Sequence, residues 1–138
     1  ASMSDGTLRA LGVLASLFQS PNGGKVLSLV AVEEPEVALH PAAAGLLLDC
    51  LTEASQDRQV LVTSHSPDLL DRHDISPDAI LAVEAEDGKT LLSGLNPASR
   101  KILERKLRTP GELLRMNQMR PDRRRVPSTE TLPRRVLE

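Results

Sequence analysis

The sequence of 138 residues is poor in aromatic residues and cysteine, and this scarcity excludes several common classes of protein. It has one Phe and no Trp or Tyr, which argues against an aromatic platform that stacks single-stranded nucleic acid. The single cysteine, Cys50, excludes an internal disulfide framework and a cysteine-rich zinc site. No apolar run approaches the roughly 18 residues that a membrane-spanning helix needs. The first residues also lack the basic start of a signal peptide, so we expect a cytoplasmic protein with no membrane partner.

The net charge of −2 conceals an uneven distribution of charge along the chain. Residues 1–98 contain 5 basic and 14 acidic residues, whereas residues 99–138 contain 12 basic and 5 acidic ones. Most of the apolar periodicity lies in residues 1–98, and we expect this segment to be the folded body. We expect a short helical segment at 99–119 and a basic, disordered tail at 120–138. The arginines of this tail could contact nucleic acid, but its prolines favour a solvated linker.

Hydrophobic periodicity predicts helices that alternate with strands. The predicted helices are 4–19, 41–55, 67–72, 98–107 and 110–116, and the predicted strands are 26–32, 59–63, 79–84 and 90–92. The first two strands are almost continuously apolar, as is typical of strands that are buried on both faces. Asp87 and Gly88 predict a tight hairpin turn between the last two strands. This order indicates an α/β fold in which helices flank a mostly parallel sheet.

Polar residues follow each of the first two predicted strands directly. Glu33 and Glu34 end the first strand, and Ser64 and His65 follow the second. Ligands of parallel sheets bind beyond the carboxyl ends of the strands, so we expect both clusters at one edge. There, Glu33 could hold Mg²⁺ largely through water, Glu34 could orient an attacking water, and His65 could donate to a phosphate oxygen. The alternatives are a solvated acidic loop and a structural or exposed histidine.

Four segments, in this order, resemble the motifs of ABC-type ATPase heads of the RecF/SMC/OLD-like AAA family. Residues 3–9 (MSDGTLR) are similar to the signature motif, and residues 30–36 (VAVEEPE) are similar to the Walker B segment. Residues 37–41 (VALHP) resemble the D-loop, and residues 63–67 (TSHSP) resemble the switch or H-loop. The resemblance covers about residues 3–71. It implies a half-domain with the P-loop NTPase fold of the ABC ATPase type, and ATP and Mg²⁺ as cofactors.

The resemblance also implies roles for individual residues. Glu33 would take the metal-binding Walker B position, which is more commonly Asp, and Glu34 would be the catalytic carboxylate. His65 would act beside it by contacting the γ-phosphate. In this family the signature motif binds nucleotide that is held by the second protomer of a head-to-tail dimer. The residues assigned to cofactor binding on these grounds are Ser4, Gly6 and His40.

The phosphate-binding motif Gly-x-x-x-x-Gly-Lys-Ser/Thr does not occur in the sequence. Residues 88–90 match only its end, because Val83 occupies the place of the first glycine. We therefore expect a fragment, the C-terminal half of an ATPase head, that binds ATP poorly and is inactive alone. The leading hypothesis is a module for ATP binding and hydrolysis, with DNA or an effector protein as a further partner. The alternative is a noncatalytic module that binds nucleic acid or another protein.

Overall fold

The computed structural model describes residues 5–19, 28–37 and 39–125. The chain divides into two compact units, residues 1–70 and 71–138, whereas the sequence predicted that the folded body extends to residue 98. Some predictions lie outside the described residues: the helix start at Ser4, the first two positions of the strand at 26–32, and the tail beyond residue 125. Among the described helices, none is both long and apolar enough to cross a membrane.

The described residues of unit 1, residues 1–70, form two helices and one parallel pair of strands. In chain order, its elements are α1 (Asp5–Phe18), β1 (Leu29–Glu33), α2 (Pro41–Ala54) and β2 (Gln59–Thr63). The strands pair in parallel, with Leu29 opposite Gln59 and Glu33 opposite Thr63. The helix predicted at 67–72 is wrong. Residues 67–70 form a turn in which the amide of Leu70 donates to the carbonyl of Pro67 at 3.1 Å, and a helix would need this bonding to continue into the following residues.

Only one face of the β1–β2 pair is buried. Val30 lies on that face and packs in a core with residues of α1 and α2, such as Leu17 and Leu51. On the other face, Leu29 is 51% exposed and Leu61 is 47% exposed. The prediction that both faces are buried is therefore wrong for this chain, because α1 and α2 both contribute to the core on the Val30 side.

In unit 2, residues 71–138, the part described up to residue 125 forms an antiparallel hairpin and two short helices. Its main elements are β3 (Leu81–Glu86), β4 (Lys89–Gly94), α3 (Pro97–Glu104) and α4 (Pro110–Arg115), with 3₁₀ turns at Pro77–Ala79 and Arg123–Arg125. The predicted hairpin turn is confirmed, since Asp87 and Gly88 have φ values of 48° and 73°, as in a type I′ turn. The α/β class is confirmed as well. Within the described ranges, however, only β1 and β2 pair in parallel, because this turn folds β4 back onto β3.

Local sequence explains the bounds of the two helices in unit 2. Asn96 caps the start of α3 and Thr109 caps the start of α4, and a proline follows each cap. Each helix ends before a residue in the left-handed conformation, Lys106 with φ 52° and Asn117 with φ 54°. For this reason α3 stops at Glu104, before the predicted end at 107.

The first residues of the predicted tail belong to the fold of unit 2. The amide of Asp122 donates to the carbonyl of Gly94 at 2.9 Å, and Pro121 bridges to the chain just beyond β4. Arg123 forms an ion pair of 2.9 Å with Glu86 on β3. Residues 120–125 are therefore packed on the hairpin, whereas the sequence predicted a disordered tail from 120 onward.

Candidate functional site

The carboxyl ends of β1 and β2 lie side by side. Because the strands are parallel and Glu33 is opposite Thr63, both segments leave the sheet at the same edge. The amide of Glu34 donates to the carbonyl of Thr63 at 2.8 Å, which extends the pairing by one residue. His65 follows, and its Nδ1 atom lies 2.7 Å from Oε1 of Glu34. The predicted proximity of Glu34 and His65 is confirmed.

The Glu34–His65 pair is accessible to solvent, with side chains that are 38% and 76% exposed. An ionised carboxylate only accepts hydrogen bonds, so Nδ1 of His65 must carry the proton in this contact. In the neutral ring, Nε2 then holds a lone pair. His65 can donate from Nε2 only as the imidazolium ion. One proton thus decides whether this histidine presents an acceptor or a donor to a ligand.

Glu34 adopts a backbone conformation that side-chain-bearing residues rarely occupy. Its φ is 42°, in the left-handed region, at a general cost of about 1–2 kcal/mol. It also precedes Pro35, whose ring restricts the residue before it. Pro35 is fully buried, and the carbonyl of Glu34 accepts from the amide of Val37 at 3.1 Å. The turn after β1 is thus anchored on both sides of Glu34.

A second, buried contact joins the same two segments. Glu36 is only 9% exposed, and its Oε1 accepts a hydrogen bond from the hydroxyl of Ser64. Ser64 Oγ in turn accepts from the amide of Ser66 at 3.0 Å. The other oxygen of Glu36, Oε2, is buried and has no hydrogen-bond partner among the described residues. Sequence reasoning gave Glu36 no role, and since Ser64 is 28 positions away, no local spacing indicates this bond.

A residue of α1 also reaches the turn after β1. Nη2 of Arg9 lies 3.2 Å from the carbonyl oxygen of Glu33 and 3.2 Å from that of Glu34. Sequence reasoning did not identify this contact, which spans 24 and 25 positions. Three elements of unit 1 therefore converge on Glu34: the end of β1, the loop after β2 and the second turn of α1.

Glu33 lies at the end of β1 and is exposed. With Ala31, Leu61 and Thr63 it lines a shallow hollow of about 160 Å³. Within the described residues, no group of three His, Cys, Asp or Glu side chains could enclose a metal ion. Mg²⁺ does not require such a cage, because it keeps several waters and binds through one or two carboxylates and the phosphates of its substrate. Glu33 fits a magnesium site of that open kind.

Two of the three other predicted site residues, His40 and Gly6, are described, and neither is bonded to this pair. His40 caps α2, since its Nδ1 accepts from the amide of Ala42 at 3.2 Å, a contact that requires an unprotonated Nδ1. Gly6 is buried in the first turn of α1, where the sequence predicted an exposed helix start. Ser4 lies outside the described residues. No hydrogen bond or ion pair in the described part of unit 1 connects Gly6 or His40 to Glu34 or His65. Their roles in cofactor binding stay predictions.

Comparisons with known proteins agree with the resemblance seen in the sequence. The family described as "AAA domain, putative AbiEii toxin, Type IV TA system" matches residues 1–71. No curated protein matches the chain. A solved chain from structural work on ATP-driven dimerization and DNA-stimulated activation of SMC ATPases is similar, with 21% identity and a TM-score of 0.51.

That similarity covers 75% of this chain and 61% of the solved one, so the present chain spans about three fifths of the length of that solved chain. At this identity the likeness shows the fold alone. The predicted relation to the AAA family is confirmed by the family match. Because the family match covers more than half of the sequence and includes both segments that form the Glu34–His65 pair, the chain belongs to this family of AAA domains.

Proposed function

We propose that the chain supplies the hydrolytic half of a nucleotide site in an AAA-type ATPase. The reaction is the attack of water on the γ-phosphate of ATP in the presence of Mg²⁺. The observation that carries the proposal is the 2.7 Å contact between Glu34 and His65, at the edge where both parallel strands end. The family match over residues 1–71 and the SMC-like fold support it.

Glu34 is the residue that orients the attacking water in this proposal. A carboxylate offers about four lone-pair sites on its two oxygens, so Glu34 can accept from a water while it remains bonded to His65. The left-handed turn fixes its backbone, and positional precision of this kind contributes directly to rate. As a general base, Glu34 would take the proton that the water loses.

His65 is the residue that contacts the γ-phosphate. Its ring is 76% exposed and therefore accessible to a ligand. As the imidazolium ion, His65 keeps its Nδ1–H contact with Glu34. In that form Nε2 can donate to a phosphate oxygen and help to stabilise the charge that develops during transfer.

Glu33 is the proposed protein ligand of Mg²⁺, which would neutralise charge on the phosphates when bound. The phosphates themselves need a P-loop, and none occurs in the 138 residues. We infer that this loop lies in another segment or chain, and that this chain alone is inactive. A second protomer in a head-to-tail dimer would use the start of α1, with Ser4 and Gly6, and the D-loop with His40. We also propose that the protein is cytoplasmic. Its further partner would be DNA or an effector protein.

The alternative, a noncatalytic module that binds nucleic acid or protein, has less support. A cleft of about 530 Å³ in unit 2 is lined by Arg100, Arg124 and Arg125. Each of these arginines already pairs with a carboxylate: Asp78 and Glu104 for Arg100, and Asp122 for the other two. The positive charge around the cleft is therefore largely neutralised.

The substitution Glu34→Gln tests the proposal in the P-loop-bearing protein that contains this chain. The amide keeps the shape of the side chain but removes the base, so turnover should fall by at least about a hundredfold while ATP binding persists. Glu53→Gln, at an exposed position of α2, is the matched control and should leave turnover unchanged. Hydrolysis by the Glu34→Gln protein within a few-fold of wild type would remove the catalytic role from Glu34.

A further inference from the structure

We propose that Arg9 is a positioning residue of the hydrolytic site. It holds the turn after β1 in the conformation from which the carboxylate of Glu34 reaches His65. The inference rests on the proposed function of Glu34 and adds a residue on α1 to that site.

The contact itself is specific to the turn. One nitrogen of the Arg9 guanidinium, Nη2, carries two hydrogens and lies 3.2 Å from each of two successive carbonyl oxygens, those of Glu33 and Glu34. The first belongs to the last residue of β1, and the second belongs to the left-handed residue. Arg9 therefore bridges the point at which the chain changes from extended to left-handed geometry.

Glu34 is strained, and Arg9 adds direct hydrogen bonds to its carbonyl side, where the buried Pro35 and the Ser64–Glu36 bond also anchor the turn. On the amide side, Glu34 is fixed to Thr63 at 2.8 Å. On the carbonyl side, its described partners are Arg9 and the amide of Val37 at 3.1 Å. The side chains of Glu34 and His65 are both exposed, so packing does not hold them. A left-handed residue persists only where its surroundings over-determine it, and the loss of Arg9 removes one of these restraints.

An arginine serves this purpose better than a lysine. Its side chain is one bond longer than that of lysine, and its planar guanidinium presents donors in a fixed geometry. A lysine at position 9 keeps the charge near the turn but places a shorter, freely rotating ammonium there. A comparison of arginine and lysine at position 9 therefore distinguishes a positioning role from a purely electrostatic one.

Nuclear magnetic resonance on the intact 138-residue chain can test this without ATP. The readouts are hydrogen exchange at the amides of Glu34 and Val37 and the ¹⁵N shifts of the His65 ring. In Arg9→Met, we expect exchange at both amides to accelerate by about tenfold, and the ring shifts to move toward those of a free imidazole. Arg9→Lys should fall close to Arg9→Met. Ser16→Ala, which alters another exposed side chain of α1, should match wild type.

Three results would overturn the proposal. The first is wild-type exchange and ring shifts in Arg9→Met. The second is full recovery in Arg9→Lys, which would show that charge alone is needed. The third is an equal loss of protection at the core residues Val30 and Val32, which would show a general loss of stability and no specific effect on the turn.

Kinetics of the P-loop-bearing protein separate this inference from the proposed function. Arg9→Met should lower kcat and leave KM for ATP within about twofold, because Arg9 acts through Glu34 and not on the nucleotide. If the turn loosens in the resonance experiment but kcat is unchanged, Arg9 does position the turn and the catalytic role of Glu34 is wrong. If the turn does not loosen, the positioning role fails and the Glu34→Gln result still decides the function.

Discussion

The hydroxyl of Ser64 donates a hydrogen bond to Glu36, a carboxylate that is almost completely buried. This bond joins the turn after β1 to the loop after β2 inside unit 1. The exposed contact between Glu34 and His65 joins the same two segments at the surface. These two links between side chains, one buried and one accessible, both support the site, and of the two the accessible one can meet a ligand.

Loss of the buried link should destabilise unit 1. Ser64→Ala leaves the buried Oε1 of Glu36 without its donor, and an unsatisfied buried group generally costs about 1–3 kcal/mol, or more when it is charged. Urea denaturation followed by circular dichroism measures the change in the free energy of unfolding. Ser55→Ala removes an exposed hydroxyl that bonds only to its own helix, and should change stability by less than about 0.5 kcal/mol. Equal effects of the two substitutions would show that the Ser64–Glu36 bond adds no stability.

The left-handed conformation of Glu34 should reverse the usual ranking of alanine and glycine. Both Glu34→Ala and Glu34→Gly remove the contact with His65, but only glycine adopts a φ of 42° without steric cost. We expect Glu34→Gly to be more stable than Glu34→Ala by about 1 kcal/mol in urea denaturation. At Ala15, an exposed position inside α1, glycine should instead be less stable than alanine. A more stable Glu34→Ala protein would contradict the strain inferred here.

The chain alone should bind ATP weakly. Without a P-loop we expect a Kd no tighter than about 1 mM, which corresponds to about −4 kcal/mol. Titration calorimetry with Mg²⁺-ATP on the 138-residue chain measures it. Micromolar affinity would show that the chain holds the phosphates by itself and would contradict the proposal of a separate P-loop.

Unit 2 should lose stability in acid through Asp71. Hydrogen bonds from the hydroxyl of Thr109 at 2.6 Å and from Arg115 at 3.0 Å keep the pKa of Asp71 below its ordinary value of 3.8. Because the pKa is lower in the folded state, the stabilisation is fully present above about pH 4 and is lost as the pH falls through the lowered pKa.

The substitution Asp71→Asn isolates this contribution. The wild type should be more stable than the variant at pH 7, and the difference should shrink at pH 3, as measured by urea denaturation at both values. Asp57→Asn, at an exposed position in unit 1, provides the control. A difference that does not depend on pH would show that the charge of Asp71 is not what Thr109 and Arg115 recognise.

Sequence predicted the features that short segments determine by themselves. The Asp87-Gly88 turn follows from the preference of these residues for positive φ. The start of α2 follows from Pro41. Two apolar runs, each followed directly by polar residues, were sufficient to predict that Glu34 and His65 lie at one edge of the β1–β2 pair.

What the sequence could not predict depends on tertiary contacts. The bonds of Arg9 to Glu34 and of Ser64 to Glu36 join positions 25 and 28 residues apart, and no periodicity encodes them. An apolar run also does not reveal whether helices cover one face of its strand or both. For this reason the exposure of Leu29 and Leu61 was not anticipated.

Glu33 lies on the exposed face of the β1–β2 pair, so any partner that covers this face would change the surroundings of its carboxylate. Glu33 shares a hollow there with Ala31 and Leu61. If a partner surface covers this hollow, the carboxylate leaves water for a region of lower dielectric constant, where a nearby cation attracts it more strongly. A divalent ion would then offset the cost of dehydrating Glu33. If Glu33 binds Mg²⁺ as proposed, metal affinity and coverage of this face are therefore thermodynamically coupled, and each favours the other.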